Sequence, residues 1–195
     1  MKKEKEEKME NRKKLNKTKW ESKAFVSKQI DKDYFALQYA PEELKEDRTL
    51  VLKSINRNGL ALCYASKELK NDREVVKEAV KQNGNALYYA SAELRNDKEI
   101  VTEAIREDAY ALCFASEELK NDKELVKEAI KQDPKIIRFD FMKQNPEIVL
   151  FAIAEFEKRQ PNEKEKQNFG KLIKITQKEL IDYKESLEKL LNKGK

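Results

Sequence analysis

The stretch ALCYASKELKNDREVVKEAV, residues 61–80, decides the fold because the chain repeats it. Close copies follow as ALYYASAELRNDKEIVTEAI at residues 86–105 and ALCFASEELKNDKELVKEAI at residues 111–130. A more divergent copy precedes them, so that four copies with a constant period of 25 residues fill positions 33–132. A constant period in the tens of residues is typical of stacked structural repeats.

Each copy contains two helical patterns. In the first half, Leu62, Ala65 and Leu69 stand at i, i+3 and i+7, which is one face of a helix. In the second half, Val75 and Ala79 stand one turn apart and are each followed by a valine. These patterns predict first helices near 34–44, 59–69, 84–94, 109–119 and 134–143. They predict second helices near 47–57, 72–82, 97–107, 122–132 and 146–158.

Polar residues mark the predicted helix starts. Asn71, with Glu74 three residues later, has the capping-box spacing before a second helix, and Asn96 and Asn121 repeat it. An aspartate follows each of these positions, in a first turn where negative charge suits the helix dipole. The first helices have a capping column of their own: Asp33, Asn58, Asn83, Asp108 and Asp133. Pro134 then occupies N1, where proline is favoured.

Degenerate copies flank the regular repeats, as a stacked array requires to close its core. Residues 20–31 resemble a lone second helix, and residues 133–158 resemble a degenerate repeat. We expect the charged segment 1–19 to be a disordered tail or a frayed helix. The predicted fold class is all-α: an α-solenoid of 25-residue two-helix repeats, expected to be right-handed, with a long C-terminal helix over residues 162–192.

The C-terminal segment starts at Pro161 with a capping-box sequence and then follows a heptad spacing. Spacings of four and three alternate along the seam, which contains Phe169, Ile173, Thr176, Leu180, Tyr183, Leu187 and Leu190. This seam predicts either a homodimeric coiled coil through residues 169–190 or a helix that folds back on the last repeat. We favour folding back, because three heptads are short.

The repeated words resemble those of a known repeat family, the domain of unknown function 4116. The resemblance rests on Ala-Leu-x-Tyr-Ala-Ser at residues 86–91 and on Leu-(Lys/Arg)-Asn-Asp at residues 69–72, 94–97 and 119–122. It covers about residues 24–155, and the first copy departs from it with Pro41 for serine and Glu46 for asparagine. The resemblance implies a helical repeat and no particular activity, substrate or catalytic residue.

The first helices also predict a binding surface. If Leu62, Ala65 and Leu69 face inward, positions 63, 67 and 70 point outward. This outer stripe varies between copies and ends in a basic column, which suits a binding surface, although a tolerant solvated face would look the same. The predicted partner-binding residues are Gln38, Lys45, Cys63, Lys67, Lys70, Tyr88, Arg95, Cys113, Glu117 and Lys120.

Other columns favour structural roles. Tyr39, Tyr64, Tyr89 and Phe114 form an aromatic column that we expect to pack beside the core, since phenylalanine replaces tyrosine in the last copy. Two acidic columns repeat alike in every copy, which is typical of structure and not of catalysis. They contain Glu43, Glu68, Glu93 and Glu118, and Asp47, Asp72, Asp97 and Asp122. We expect Trp20, the single tryptophan, to seal the first helix.

Composition argues against most enzymes. The chain has no histidine, so it lacks a Ser–His or Cys–His dyad and an imidazole metal ligand, and no phosphate-binding glycine motif occurs. We therefore predict no catalytic residue, no cofactor and no metal site. Two cysteines, no apolar run of membrane-spanning length and no secretory signal favour a cytoplasmic protein without a membrane partner.

Two functional hypotheses remain. The first is a non-catalytic protein–protein interaction module that binds a larger macromolecule, in one form as an inhibitor of a host enzyme such as a defence nuclease (anti-CRISPR-like). The alternative is binding of RNA or a ribonucleoprotein through the basic edge and the N-terminal tail. Residues 1–33 contain 12 Lys+Arg against 7 Asp+Glu, whereas the remaining chain contains 30 of each.

Overall fold

A computed structural model describes residues 19–139, 142 and 145–173, and these residues are helical with short connections. The predicted all-α helical-repeat architecture is confirmed. The chain divides into two compact units, Met1–Ser116 and Glu117–Lys195. The expectations for residues 1–18, and for the heptad positions after residue 173, lie outside the described residues.

The second helix of each repeat agrees with its predicted position. These helices are Arg48–Ile55, Arg73–Gln82, Lys98–Glu107, Lys123–Gln132 and Pro146–Glu157. The helix Lys23–Ile30 precedes them in the segment that resembles a lone second helix. Their apolar positions form one buried face, since Val75, Val76, Ala79 and Val80 have no exposed surface.

The prediction of one continuous first helix is wrong. In repeat 2 this segment is a 3₁₀ helix, Gly59–Tyr64, followed by a separate one-turn α-helix, Lys67–Lys70. Ala65 between them has an extended backbone, with φ −68° and ψ 156°. Ser66 is the physical reason for the break. Its side-chain oxygen accepts a hydrogen bond from the Leu69 amide, so Ser66 is the N-cap of a new helix.

The other first segments are divided in the same way. The 3₁₀ helices are Tyr34–Tyr39, Gly84–Tyr89, Ala109–Phe114 and Pro134–Arg138. One-turn α-helices follow at Glu42–Lys45 and Glu117–Lys120, and a 3₁₀ turn follows at Leu94–Asn96. The predicted caps of these segments are confirmed, since the side chains of Asp33, Asn58, Asn83, Asp108 and Asp133 all accept a backbone amide hydrogen.

The predicted caps of the second helices are displaced by one residue. The N-cap of Arg73–Gln82 is Asp72 and not Asn71, because the Asp72 carboxylate accepts the amides of Glu74 and Val75. Asp47, Asp97 and Asp122 cap their helices in the same way. The aspartate column is therefore structural, as expected, but it provides the cap itself.

Within the first unit, each second helix packs against the 3₁₀ helix of its own repeat and against that of the next repeat. Ala61 and Leu62 of the 3₁₀ helix are fully buried in this packing. The helix faces that a single repeat would leave exposed are therefore covered by its neighbours, which is how stacked repeats build a core.

Ion pairs also join consecutive second helices. The Arg48 Nε lies 3.2 Å from an Asp72 carboxylate oxygen, and the Arg73 Nε lies 3.0 Å from Asp97. Arg73 and Lys77 both reach Glu99 as well, each at 2.6 Å. In repeats 1 and 2 the arginine that follows the capping aspartate thus binds the capping aspartate of the next repeat.

The second unit ends, within the described residues, in the helix Glu163–Ile173. Its predicted capping box is confirmed: the Asn162 amide donates to the Glu165 carboxylate at 2.9 Å, and the Glu165 amide donates to the Asn162 side chain at 3.0 Å. Phe169, the first seam residue, is buried and stacks on Phe156 of the preceding helix with ring centroids 3.9 Å apart. The start of the seam therefore packs inside its own chain.

Candidate interaction surface

Aromatic side chains form a continuous surface along the first unit, which we call the tyrosine face. It consists of Tyr39, Tyr64, Tyr88, Tyr89 and Phe114. The Tyr88 ring contacts Tyr89 at 5.0 Å and reaches Phe114 of the next repeat at 5.3 Å between centroids. Burial raises the pKa of the Tyr64 hydroxyl, and Tyr89 and Tyr39 lie close enough to Tyr64 to add to this shift. The face therefore runs across four consecutive repeats.

Two rings of the tyrosine face are open to solvent. Tyr39 is 61% exposed and Tyr88 is 59% exposed, and these are the large hydrophobic side chains that stand out as exposed among the described residues. Tyr64, Tyr89 and Phe114 are half-buried. Tyr64 packs against Phe35 of the preceding repeat, with ring centroids 5.9 Å apart.

The expectation that the whole aromatic column packs beside the core is therefore wrong for Tyr39. The reason is its place in the array: Tyr39 belongs to the first regular repeat, and its ring contact is with Trp20, at 5.3 Å. Trp20 also contacts Phe25 at 5.2 Å, as expected for a residue that seals the first helix. Tyr39 was not among the predicted site residues, although its position at the end of the array is a signal for its exposure.

The side chains of the basic column are not free. Lys45 is 19% exposed and pairs with Glu42 at 2.7 Å, and Lys120 of the second unit pairs with Glu117 at 2.8 Å. The Lys70 Nζ donates to the Cys63 carbonyl oxygen at 2.7 Å. Each of these side chains folds back on its own repeat.

Burial lowers the pKa of Lys70 and raises that of the neighbouring Cys63 thiol. The Tyr64 hydroxyl and Lys70 act in the opposite direction on Cys63 without reversing the shift. A thiol with a raised pKa stays protonated at neutral pH and is a weak nucleophile. Cys63 therefore contributes a half-buried apolar surface to the face and not an activated sulfur.

The remaining predicted site residues divide by exposure. Lys67 and Glu117 are exposed, whereas Gln38, Arg95 and Cys113 are half-buried. The outer stripe is less open than predicted, because residues 63 and 70 lie in two separate short helices and not on one face of a continuous α-helix. Binding by these residues stays a prediction.

The matches of a known family model begin at intervals that agree with the 25-residue repeat. The family model for the domain of unknown function DUF4116 matches the chain four times, at residues 23–70, 47–95, 72–119 and 97–139. Together the matches cover residues 23–139, which is more than half of the chain. The chain belongs to this family. The match ends at residue 139, so it does not include the segment up to 155 in which the sequence resemblance was also expected. No curated protein and no solved structure matches the chain significantly.

The signature words of the DUF4116 repeats form the junction between neighbouring copies. The Ser91 amide donates to the Lys70 carbonyl of the preceding repeat at 2.9 Å, and its hydroxyl donates to the Asn71 side chain. Ser116 makes the same two contacts, with Arg95 and Asn96. Each serine thus closes the end of the preceding short helix.

The first DUF4116 copy departs at both partners of this junction. Pro41 has no amide hydrogen to donate, and within the described residues its repeat is preceded by the helix Lys23–Ile30. Glu46 replaces the asparagine that would face Ser66. The Ser66 hydroxyl instead bonds to Glu68, whose own backbone amide and this hydroxyl lower the pKa of its carboxyl. The Glu68 carboxylate of the acidic column is thus bound within its own repeat.

The DUF4116 repeats show no arrangement that would hold a metal ion: within the described ranges, no three His, Cys, Asp or Glu side chains come together for that purpose. Across the same ranges, no helix has both the length and the apolar character needed to cross a membrane. A cavity of about 240 Å³ in the second unit is lined by Lys135, Glu165, Asn168 and Phe169.

Proposed function

We propose that this DUF4116 protein is a non-catalytic interaction module that binds a larger partner protein through the tyrosine face. The observation that carries the proposal is the exposure of Tyr39 and Tyr88 on a face that is otherwise packed. Tyrosine is enriched at protein interfaces, because its ring buries a large area at low entropic cost while its hydroxyl can still form a hydrogen bond.

The surroundings of these rings support a protein partner. Half-buried rings and the Cys63 side chain form an apolar surface between Tyr39 and Tyr88, and lysine side chains border it. An apolar centre with a polar rim is the usual anatomy of a protein interface. The absence of histidine from the chain and the raised pKa of Cys63 support a role without catalysis.

One form of this function is inhibition by occlusion. A small protein with a charge-dense surface can block a larger enzyme, such as a host defence nuclease, by covering the site that its substrate must reach. The anti-CRISPR-like role proposed from the sequence is of this kind. It needs a binding face and no chemistry, which is consistent with the surface described above.

Nucleic-acid binding stays the second candidate and is not favoured by the geometry of the basic column. Lys45 and Lys120 are paired with carboxylates of their own repeats, which leaves Lys70 and Arg95 as the half-buried members of the column without an ion pair among the described residues. Binding to a phosphate backbone depends on accessible Lys and Arg side chains. The lysines of residues 1–18 lie outside the described residues.

The test is affinity capture from nuclease-treated lysate, compared between three proteins. They are the parent chain, a Tyr39→Ala/Tyr88→Ala variant, and a Lys81→Gln control on the exposed side of a second helix. Circular dichroism establishes that all three are folded. We expect a partner protein that the parent and the control retain and the tyrosine variant loses, because truncation of interface tyrosines removes binding energy at the centre of a contact.

The captured protein is then purified and titrated against the same three proteins by calorimetry. A tyrosine variant that binds as tightly as the parent would show that another surface carries the interaction. Captured material that disappears entirely on nuclease treatment would favour the nucleic-acid alternative.

A further inference from the structure

The four regular repeats differ in how they neutralise their basic column. Repeats 1 and 4 carry a glutamate three residues before the basic residue, and both form the resulting ion pair: Glu42 with Lys45 and Glu117 with Lys120. Repeats 2 and 3 carry Lys67 and Ala92 at that position instead. The basic residues Lys70 and Arg95 therefore lack the carboxylate that their counterparts have.

The structure shows the consequence for both cations. Lys70 is half-buried, and its amine donates to the Cys63 carbonyl, with no carboxylate within 4.0 Å in the described part of the chain. The Nε of Arg95 is buried and has no hydrogen-bond partner among the described residues. Lys70 and Arg95 are thus half-buried cations without a carboxylate partner among the described residues, and a charge-assisted bond to an external carboxylate would be favourable for them.

The nearby carboxylates do not replace this partner. Glu42 acts on Lys70 only at longer range, because its own carboxylate is bonded to Lys45. The Glu68 carboxylate is directed to its own amide and to the Ser66 hydroxyl, although it also interacts with the adjacent Lys67. Glu93 is exposed on the turn before Arg95. Within the described residues, repeats 2 and 3 thus have three cations, at positions 67, 70 and 95, without an ion pair of the kind seen in repeats 1 and 4.

We propose that repeats 2 and 3 recognise an acidic, extended segment of a partner protein, with its carboxylates at Lys70 and Arg95 and its apolar side chains against Tyr39 and Tyr88. The inference rests on the proposed function and adds the chemistry of the partner. An occupant that follows the face from repeat to repeat meets the exposed rings of repeats 1 and 3, and it meets Lys70 and Arg95 of repeats 2 and 3, which have no carboxylate partner among the described residues. Complementary charge of this kind gives an interface its specificity.

Charge distribution favours a protein carboxylate over a nucleic-acid backbone. Outside residues 1–33 the chain has 30 basic and 30 acidic residues, so it lacks the broad positive field that attracts a polyanion. The cations that lack a carboxylate partner are instead local: Lys67 and Lys70 lie in repeat 2, and Arg95 lies in repeat 3. Two or three carboxylates on a short segment match them better than a continuous row of phosphates.

The test restores the missing glutamates. A Lys67→Glu/Ala92→Glu variant gives repeats 2 and 3 the residue that repeats 1 and 4 already accommodate, so the fold is not put at risk. The control, Arg106→Glu/Lys81→Gln, makes the same change of three charge units on the exposed sides of second helices. Both variants and the parent are titrated with a fluorescein-labelled ten-residue peptide of glutamate with two phenylalanines, and with its glutamine counterpart.

We expect the acidic peptide to bind the parent and the control alike, and the glutamine peptide to bind neither. The glutamate variant should weaken binding by about tenfold or more, because its cations become paired internally. Equal binding of the acidic peptide to all three proteins, or no binding to the parent, would overturn the inference. Tighter binding of a twelve-nucleotide uridine RNA, lost in the same variant, would overturn it in favour of nucleic acid.

The captured partner separates this inference from the proposed function. A partner that is lost by the Tyr39→Ala/Tyr88→Ala variant but still bound by the glutamate variant would leave the tyrosine face as the interface and refute the acidic segment. A partner lost by both variants, and retained by the charge-matched control, supports both proposals. A partner retained by both variants refutes both.

Discussion

At the scale of single residues, the repeats depend on close approach between the 3₁₀ helix and the second helix of the same copy. A Cβ atom added at Gly59 would lie 2.1 Å from the Ala79 carbonyl oxygen, and one at Gly84 would lie 2.3 Å from the Ala104 oxygen. Repeat 1 has a different solution at this contact, because the buried Ser54 hydroxyl donates to the Tyr34 carbonyl at 2.6 Å. The glycines of repeats 2 and 3 therefore allow the backbone of the 3₁₀ helix to approach the backbone of the second helix closely.

This contact predicts that Gly59→Ala is destabilising. The new methyl group meets backbone atoms, which cannot rotate away, so we expect a loss of about 1–3 kcal/mol in the free energy of unfolding. Urea denaturation followed by circular dichroism measures it. Gly170→Ala is the matched control, since nothing lies within 4 Å of its added Cβ and a helix interior favours alanine by about 0.5–1 kcal/mol. An unchanged midpoint for Gly59→Ala would contradict the packing described here.

At the scale of elements, the capping aspartates both start a helix and connect it to the preceding one. Asp72 accepts the amides of Glu74 and Val75 and also binds Arg48 of the preceding second helix. The asparagine before it has another task, since Asn71 accepts the Ser91 hydroxyl of the next repeat. Of these two adjacent polar residues, Asp72 thus binds the preceding repeat and Asn71 binds the next repeat.

This division of roles predicts the order of two alanine substitutions. Asp72→Ala removes a helix cap and should cost about 0.5–2 kcal/mol in the free energy of unfolding. Asn71→Ala removes one exposed side-chain hydrogen bond and should cost less. Thermal unfolding of both variants gives the order, and the reverse order would restore Asn71 as the cap. Asp72→Asn is the control, because an asparagine keeps the acceptor and loses only the charge.

At the scale of the whole molecule, capping aspartates extend along the described repeats and make stability depend on pH. Burial raises the pKa of Asp47, but hydrogen bonds from Lys23, Thr49 and the Leu50 amide outweigh it and lower the pKa to about 2, from 3.8. Burial likewise opposes a lowered pKa at Asp72 and Asp97, where backbone amides and arginines prevail. The folded state therefore holds these carboxyls in the charged form.

Acid should accordingly unfold the protein. A carboxyl with a lowered folded pKa contributes its stabilisation above its unfolded value, 3.8, and loses it as the pH falls through the folded value, about 2 for Asp47. We expect the melting temperature to be steady above about pH 5 and to fall between about pH 4 and 2. Circular dichroism melts across this range measure the effect. Asp47→Asn should melt lower at pH 7 and lose less on acidification; an equal loss would show that other groups are responsible.

Much of the architecture was determined by the sequence alone. The 25-residue period, the apolar face of each second helix and the Asp or Asn at each 3₁₀ start are local patterns, and the structure agrees with them. These local patterns are reliable because the same residue types recur at the same positions of several copies. A chance pattern in a single copy would not recur in this way. The same repeated motifs also predicted the family, which the family model confirms.

Only the tertiary structure decided how the first segment folds and which surface residues are free. The i, i+3, i+7 spacing of Leu62, Ala65 and Leu69 suits one α-helix as well as a 3₁₀ helix followed by a short helix, and the Ser66 contacts with Leu69 and with the Lys45 carbonyl select the second. Exposure of Tyr39 also depends on contacts outside its own repeat, because its ring contact is with Trp20. Periodicity reports which residues lie inside a repeat, whereas contacts between repeats determine what the surface offers to a partner.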